Sequence, residues 1–126
     1  MGKKIFNLNG DNTGYISDAT VHNGVAYLAG QMSIDPVTDE LKPGTMKEEA
    51  TLALDNLLKV VKGLGAAIED VLFVNVYITD MKEFPEFNQV YTGIFKENPP
   101  ARATLCVKEL YGGLKIEITA IVAVDK

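Results

Sequence analysis

Residues 71–79 read Val-Leu-Phe-Val-Asn-Val-Tyr-Ile-Thr, and no other stretch of the chain restricts its fold so strongly. β-branched and aromatic residues at successive positions suit an extended strand. Apolar side chains on both faces place that strand in the middle of a sheet, covered from each side. The three- and four-residue apolar spacing of an amphipathic helix occurs in only two other segments. Two helices make one layer, so the second face of the sheet needs cover that the chain does not contain. Another copy of the same sheet is the simplest cover, and a homo-oligomer is expected.

The first helix is expected from Met46 to Leu64. Thr45 stands three residues before Glu48, the spacing of a reciprocal cap at a helix start. Ala50, Leu54, Leu57, Val61 and Leu64 then fall on one face, and Gly63 and Gly65 supply the left-handed conformation that ends it. The second helix is expected from Phe84 to Phe95, with Pro85 in its first turn, Phe84, Phe87, Tyr91 and Ile94 on its buried stripe, and Asn98-Pro99-Pro100 beyond it. Apolar runs over 15–21 and 25–32 flank His22-Asn23-Gly24 and predict a hairpin. Turns are expected at Asp35–Asp39 and at Pro43-Gly44. Ala101–Val107 and Leu114–Val124 read as strands on either side of a turn at Tyr111-Gly112-Gly113. The class is α+β, a sheet with both helices on one face. No repeat or linker interrupts the chain, so residues 1–126 are expected to form one domain.

Composition narrows the function. Twelve Lys and Arg against 17 Asp and Glu give a net charge of −5, and the pI is near 4.8. The cations are scattered, so an electrostatic nucleic-acid surface is not expected. One cysteine and one histidine make neither a disulfide nor a zinc site, and no metal is expected. No signal, myristoylation pattern or membrane-length apolar stretch is present, and a soluble cytoplasmic protein without membrane contact is expected.

Chemistry concentrates in the last quarter. Strand alternation in Pro-Pro-Ala-Arg-Ala-Thr-Leu-Cys-Val sets Arg102, Thr104 and Cys106 on one face. In the final strand it sets Lys115, Glu117 and Thr119 opposite Ile116, Ile118 and Val122. Arg102 suits bidentate binding of a substrate carboxylate, and Glu117 suits holding a water. A structural ion pair between the two is the competing reading. A tight hairpin about Tyr111 sets Cys106 opposite Ile116, whereas a bulge at Gly112-Gly113 brings Cys106 and Glu117 to one face. Cys106 reads as a small buried hydrophobe and His22 as a turn residue. Gly30-Gln31 is a bend or a close approach to a ligand. Asn88 and Tyr91, three apart, share a helix face as a polar cap on packed aromatics. No glycine pattern makes a phosphate-binding loop.

The segment PPARATLCVKELYGGLKIEITAIV resembles the C-terminal signature of the RidA/YjgF family of reactive-intermediate deaminases. AGQMSIDPVTDEL is similar to that family's Gly-Gln stretch, EEATLALDNLLKVV to its first helix, and VLFVNVYITDMKEFPEFNQVY to its central strand and second helix. The resemblance covers residues 14–124. It implies a chorismate-mutase-like mixed sheet with two helices on one face, assembled as a homotrimeric barrel with three clefts between subunits. It also implies hydrolysis of 2-imino acids such as 2-iminobutanoate and 2-iminopropanoate to 2-keto acids and ammonia, without a cofactor.

By position, the resemblance assigns carboxylate binding to Arg102, water orientation to Glu117, a cleft cysteine to Cys106 and a backbone contact to Gly30. Asn88 and Tyr91 match an Asn and a Tyr of the family's second helix. Gly14-Tyr15-Ile16-Ser17 departs from the family's Gly-Pro-Tyr-Ser, so Ile16 stands where a tyrosine is usual. Either Tyr15 substitutes by a local shift or the pocket is more apolar and favours a bulkier imine. The competing function is a non-catalytic trimer that binds a small carboxylate as a regulator or chaperone-like partner; Arg102 is expected in both, and Glu117 favours hydrolysis. Endoribonuclease or translation-inhibitor activity, claimed for some family members, conflicts with the acidic balance.

Overall fold

The computed structural model describes residues 2–10 and 14–124; residues 1, 11–13, 125 and 126 of the expected domain lie outside the described residues. Eight main elements follow one another: β1 (Lys4–Phe6), β2 (Ala19–His22), β3 (Val25–Leu28), α1 (Met46–Gly63), β4 (Val71–Ile78), α2 (Phe84–Ile94), β5 (Ala101–Cys106) and β6 (Ile116–Ala123). The strands form one six-stranded sheet in the order β1-β2-β3-β6-β4-β5. Only β4 and β5 are parallel, and α2 is the crossover that a parallel neighbour requires.

Local chemistry accounts for the helices. At the start of α1, Thr45 Oγ1 accepts from the Glu48 amide at 3.2 Å and Glu48 Oε1 accepts from the Thr45 amide at 2.9 Å. At its end Gly65 is left-handed, with φ of 81°. Gly63 is not: it is the last helical residue. Its missing side chain makes room instead, since a Cβ there would lie 2.7 Å from Leu8 Cδ2 and 2.9 Å from Phe6 Cζ. A short 3-10 turn, Met81–Glu83, leads into α2, with Asp80 accepting from the Lys82 amide at 2.9 Å.

The β2–β3 hairpin turns through Asn23 and Gly24, both with positive φ, the geometry that favours Asn-Gly. Its strands are shorter than the apolar runs suggest. β1 has no sequence signal: three residues, two of them exposed, are strand only because they pair with β2. At the Asp35 turn, Asp35 Oδ1 accepts from the Val37 and Thr38 amides at 2.8 and 3.1 Å. Those two bonds hold the carboxyl below its ordinary pKa.

The expected adjacency of the last two strands is corrected. β5 and β6 do not pair; β4 lies between them, with Ile78 opposite both Cys106 and Ile116. A β5–β6 hairpin would leave β4, the most apolar strand, with an unpaired edge, whereas the central position satisfies its backbone on both sides. Both register alternatives built on that hairpin fall away.

Val74, Val76 and Ile78 of β4, with Ile116, Ile118, Ala120 and Val122 of β6, are buried in one cluster with Met46, Leu54, Leu57 and Val61 of α1 and with Phe87 and Tyr91 of α2. Both helices therefore cover one face. On the other face no element among the described residues covers the sheet, and Ile5, Tyr27 and Leu105 are about half exposed, at 50%, 50% and 47%. An apolar surface of this breadth is what the central strand predicted for a chain that lacks a second layer.

Candidate functional site

Because partners across a ladder point to the same face, β4 sorts the candidate residues. Val74 is opposite Arg102 and Val76 opposite Thr104, which puts both candidates on the helix-covered face. Tyr77 is opposite Glu117, which puts that carboxylate on the open face. Two strand spacings and a three-residue offset separate the Arg102 and Glu117 backbones by about 14 Å, with the side chains leaving opposite sides of the sheet. Arg102 belongs to none of the ion pairs among the described residues, which are Lys42–Glu40, Lys59–Asp55 and Lys115–Glu49. The Arg102–Glu117 ion pair is thus excluded within one chain.

Arg102 is the only arginine in the chain. Its guanidinium carbon lies 4.5 Å from the Tyr91 ring centre, 5.5 Å from that of Phe84 and 5.6 Å from that of Phe87. Nη1 donates to Asn88 Oδ1 at 2.8 Å. Phe84, Phe87, Asn88 and Tyr91 are spaced at three and four residues along α2, so one helix stripe supplies all four. The sequence reading placed the phenylalanines in the core and Asn88 and Tyr91 as a polar cap; the register of β5 beneath α2 turns the four into a cradle for Arg102. The Tyr91 hydroxyl and Thr104 Oγ1 are buried without a hydrogen-bond partner. Burial pushes the Tyr91 phenol above its usual pKa, against a smaller opposite pull from Arg102.

Glu117 belongs to a second cluster. The Gln31 amide donates to the Ile118 carbonyl at 2.7 Å and the Ile118 amide to the Gln31 carbonyl at 2.9 Å, which docks the chain after β3 against β6. Gly30 then lies against the Glu117 side chain: a Cβ at residue 30 would stand 2.8 Å from Glu117 Cδ and would overlap Oε2. No ordinary side chain fits there without moving the carboxylate. That carboxylate accepts no hydrogen bond from the described residues. The Ala29 amide donates to the Asp18 carbonyl at 2.9 Å, bringing the 14–18 loop, with Ile16 68% exposed, to the end of the sheet where Gly30 sits.

Cys106 joins neither cluster. It is exposed at the end of β5, four residues beyond Arg102, which corrects the expectation of a buried small side chain. The position next to Arg102 on the same face is Thr104. His22 is the last residue of β2, exposed beside the Asn23-Gly24 turn. A concavity of about 620 Å³ between the outer sides of α1 and α2, lined by Lys47, Thr51, Leu52, Leu58 and Ile94 among others, contains none of the candidates. Among the described residues no group of three or more His, Cys, Asp or Glu is placed to hold a metal ion, and no helix is long and apolar enough to cross a membrane.

Sequence reading missed Glu49. Fully buried, it accepts from the Lys115 amide at 2.7 Å and the Gly44 amide at 3.2 Å, with Lys115 Nζ 3.7 Å away. It ties the start of α1 to the entry of β6, two residues before Glu117. The only signal was a carboxylate beside the apolar stripe of α1, which reads equally well as a solvated flank.

The chain is 37% identical over 108 residues to the 2-iminobutanoate/2-iminopropanoate deaminase of Rattus norvegicus, covering 86% of this chain and 79% of the relative. The solved structure of RidA from the Antarctic bacterium Psychrobacter sp. PAMC 21119 superposes with a TM-score of 0.82 at 32% identity, over 90% of this chain and 91% of that one. E. coli TdcF with bound serine superposes with a TM-score of 0.80 at 29% identity, over 87% and 88% of the two chains. The family described as Endoribonuclease L-PSP matches residues 11–124. Taken with the sheet order and the two helices, these likenesses mean that the chain belongs to that family, the RidA/YjgF family its own sequence resembles.

Proposed function

We propose that the protein hydrolyses 2-imino acids to 2-keto acids and ammonia in clefts formed between copies of the chain. The observation that carries this reading is the pair of half-sites: a guanidinium without a counter-charge on one face of the sheet and a carboxylate without a hydrogen-bond partner on the other. A ligand of six or seven heavy atoms, the size of 2-iminopropanoate or 2-iminobutanoate, does not span from one to the other through the sheet. A homotrimeric barrel of the kind the family resemblance implies covers the open face and brings Arg102 of one copy toward Glu117 of the next. The bound serine in TdcF, an amino acid with a carboxylate, is consistent with a small carboxylate ligand here.

The chemistry needs little more. A protonated imine is already electrophilic at C2. Arg102 anchors the carboxylate in a bidentate pair, and Glu117 orients a water and takes its proton as oxygen bonds to C2. The tetrahedral carbinolamine then receives that proton on nitrogen, the C–N bond breaks and ammonia leaves as Glu117, ionised again, takes the hydroxyl proton and the carbonyl forms. No electrons are exchanged, so the step balances without a cofactor. The net charge of −5 weighs against a role on a phosphate backbone.

The test is keto-acid and ammonia release from 2-iminobutanoate generated in situ by a threonine dehydratase. Acceleration over the spontaneous rate is expected; its absence, with 2-oxobutanoate still bound, would favour the non-catalytic carboxylate-binding trimer. Gly30→Ala is expected to lower kcat by about 10- to 100-fold, the scale for displacing a reacting group by 1 Å. Its Tm should stay near the parent's, because the Glu117 side chain can swing away. An unchanged kcat would remove Glu117 from the reaction.

A further inference from the structure

Every ion pair among the described residues is made by lysine. The single arginine meets no carboxylate, although the chain carries 17 Asp and Glu. It meets a neutral amide oxygen and three ring faces instead. Ring faces attract a guanidinium through their quadrupole and restrict its plane, yet they contribute no net charge. The amide oxygen fixes one of the five N–H donors and leaves the rest of the fork free. The Tyr91 and Thr104 hydroxyls, on the same side of the sheet and buried without a hydrogen-bond partner, are neutral, and burial of the phenol opposes its ionisation.

We propose that Asn88 is a positioning residue which, with the ring faces of Phe84, Phe87 and Tyr91, holds the Arg102 guanidinium in place while leaving its charge uncompensated for an incoming carboxylate. The inference rests on the carboxylate-binding reading of Arg102 and adds to it why residue 88 must be a neutral acceptor. An aspartate at the same place would keep the shape and the hydrogen bond while supplying an internal counter-ion 2.8 Å from Nη1. Stability and ligand binding should therefore move in opposite directions. A merely structural role predicts instead that the isosteric acceptor is tolerated in both respects.

The experiment is calorimetric titration of the assembled protein with 2-oxobutanoate, which needs no turnover, alongside thermal unfolding. Asn88→Asp is expected to unfold at or above the parental temperature and to bind about 100-fold more weakly, as Arg102→Ala does. Asn88→Ala, which frees the guanidinium without neutralising it, is expected to weaken binding by only about 3- to 10-fold, the net worth of one typical intramolecular hydrogen bond, because the three ring faces still hold the guanidinium. Binding by Asn88→Asp within threefold of the parent, with Arg102→Ala defective, would overturn the proposal and leave the reading of Arg102 intact. Undiminished binding by Arg102→Ala would overturn both.

Discussion

Arg102→Ala is expected to lower kcat/KM for 2-iminobutanoate by about 2 to 5 kcal/mol in transition-state stabilisation, the range for truncating one side of a desolvated charge pair. The guanidinium is held on aromatic faces with one neutral partner, so no neighbouring cation replaces it. Glu117→Ala is expected to abolish turnover while 2-oxobutanoate still binds, because the carboxylate anchor remains. The opposite faces of the sheet make a sharper test. When the two variants are refolded together, a cleft built from two copies regains an intact Arg102 and Glu117 in about a quarter of sites of a randomly mixed closed ring. A site contained in one chain regains none. Activity of the mixture at the level of the separate variants would sink the intersubunit arrangement.

The second large effect concerns stability. Glu49→Ala is expected to cost about 3 kcal/mol, because it removes the carboxylate that accepts from two part-buried backbone amides and leaves both without that partner. For a domain of this size that lowers Tm by roughly 10 °C. Lys115 remains partly solvated, at 33% exposure, so its lost ion pair adds little. Glu49→Gln retains one acceptor oxygen and should recover about half of the loss. Thermal unfolding of the three proteins at one protomer concentration checks this, and a loss below about 1 kcal/mol for Glu49→Ala would remove Glu49 from the supports of the fold.

Several elements are legible in the amino-acid sequence because their causes are local. The Thr45–Glu48 cap, the Asn23-Gly24 turn and the two amphipathic stripes each depend on residues within one or two turns of chain. The double-faced apolarity of residues 71–79 carries further: it points to a central strand and to an uncovered second face. Other features are illegible for equally physical reasons. β1 is strand only by pairing with β2. Gly63, expected to break the helix, is instead small so that Phe6 and Leu8 can approach.

Periodicity and side-chain identity are properties of the chain alone, and they suffice for the class, the helices and the uncovered second face of the sheet. Which of those residues meet is a matter of tertiary structure. Inserting β4 between β5 and β6 set Arg102 and Glu117 on opposite faces, left Cys106 exposed and put Thr104 beside Arg102. The docking of α2 made Asn88 and three aromatic rings the surroundings of Arg102. Alternation gives each strand its two faces, but only the order and register of pairing decide which face of one strand joins which face of the next.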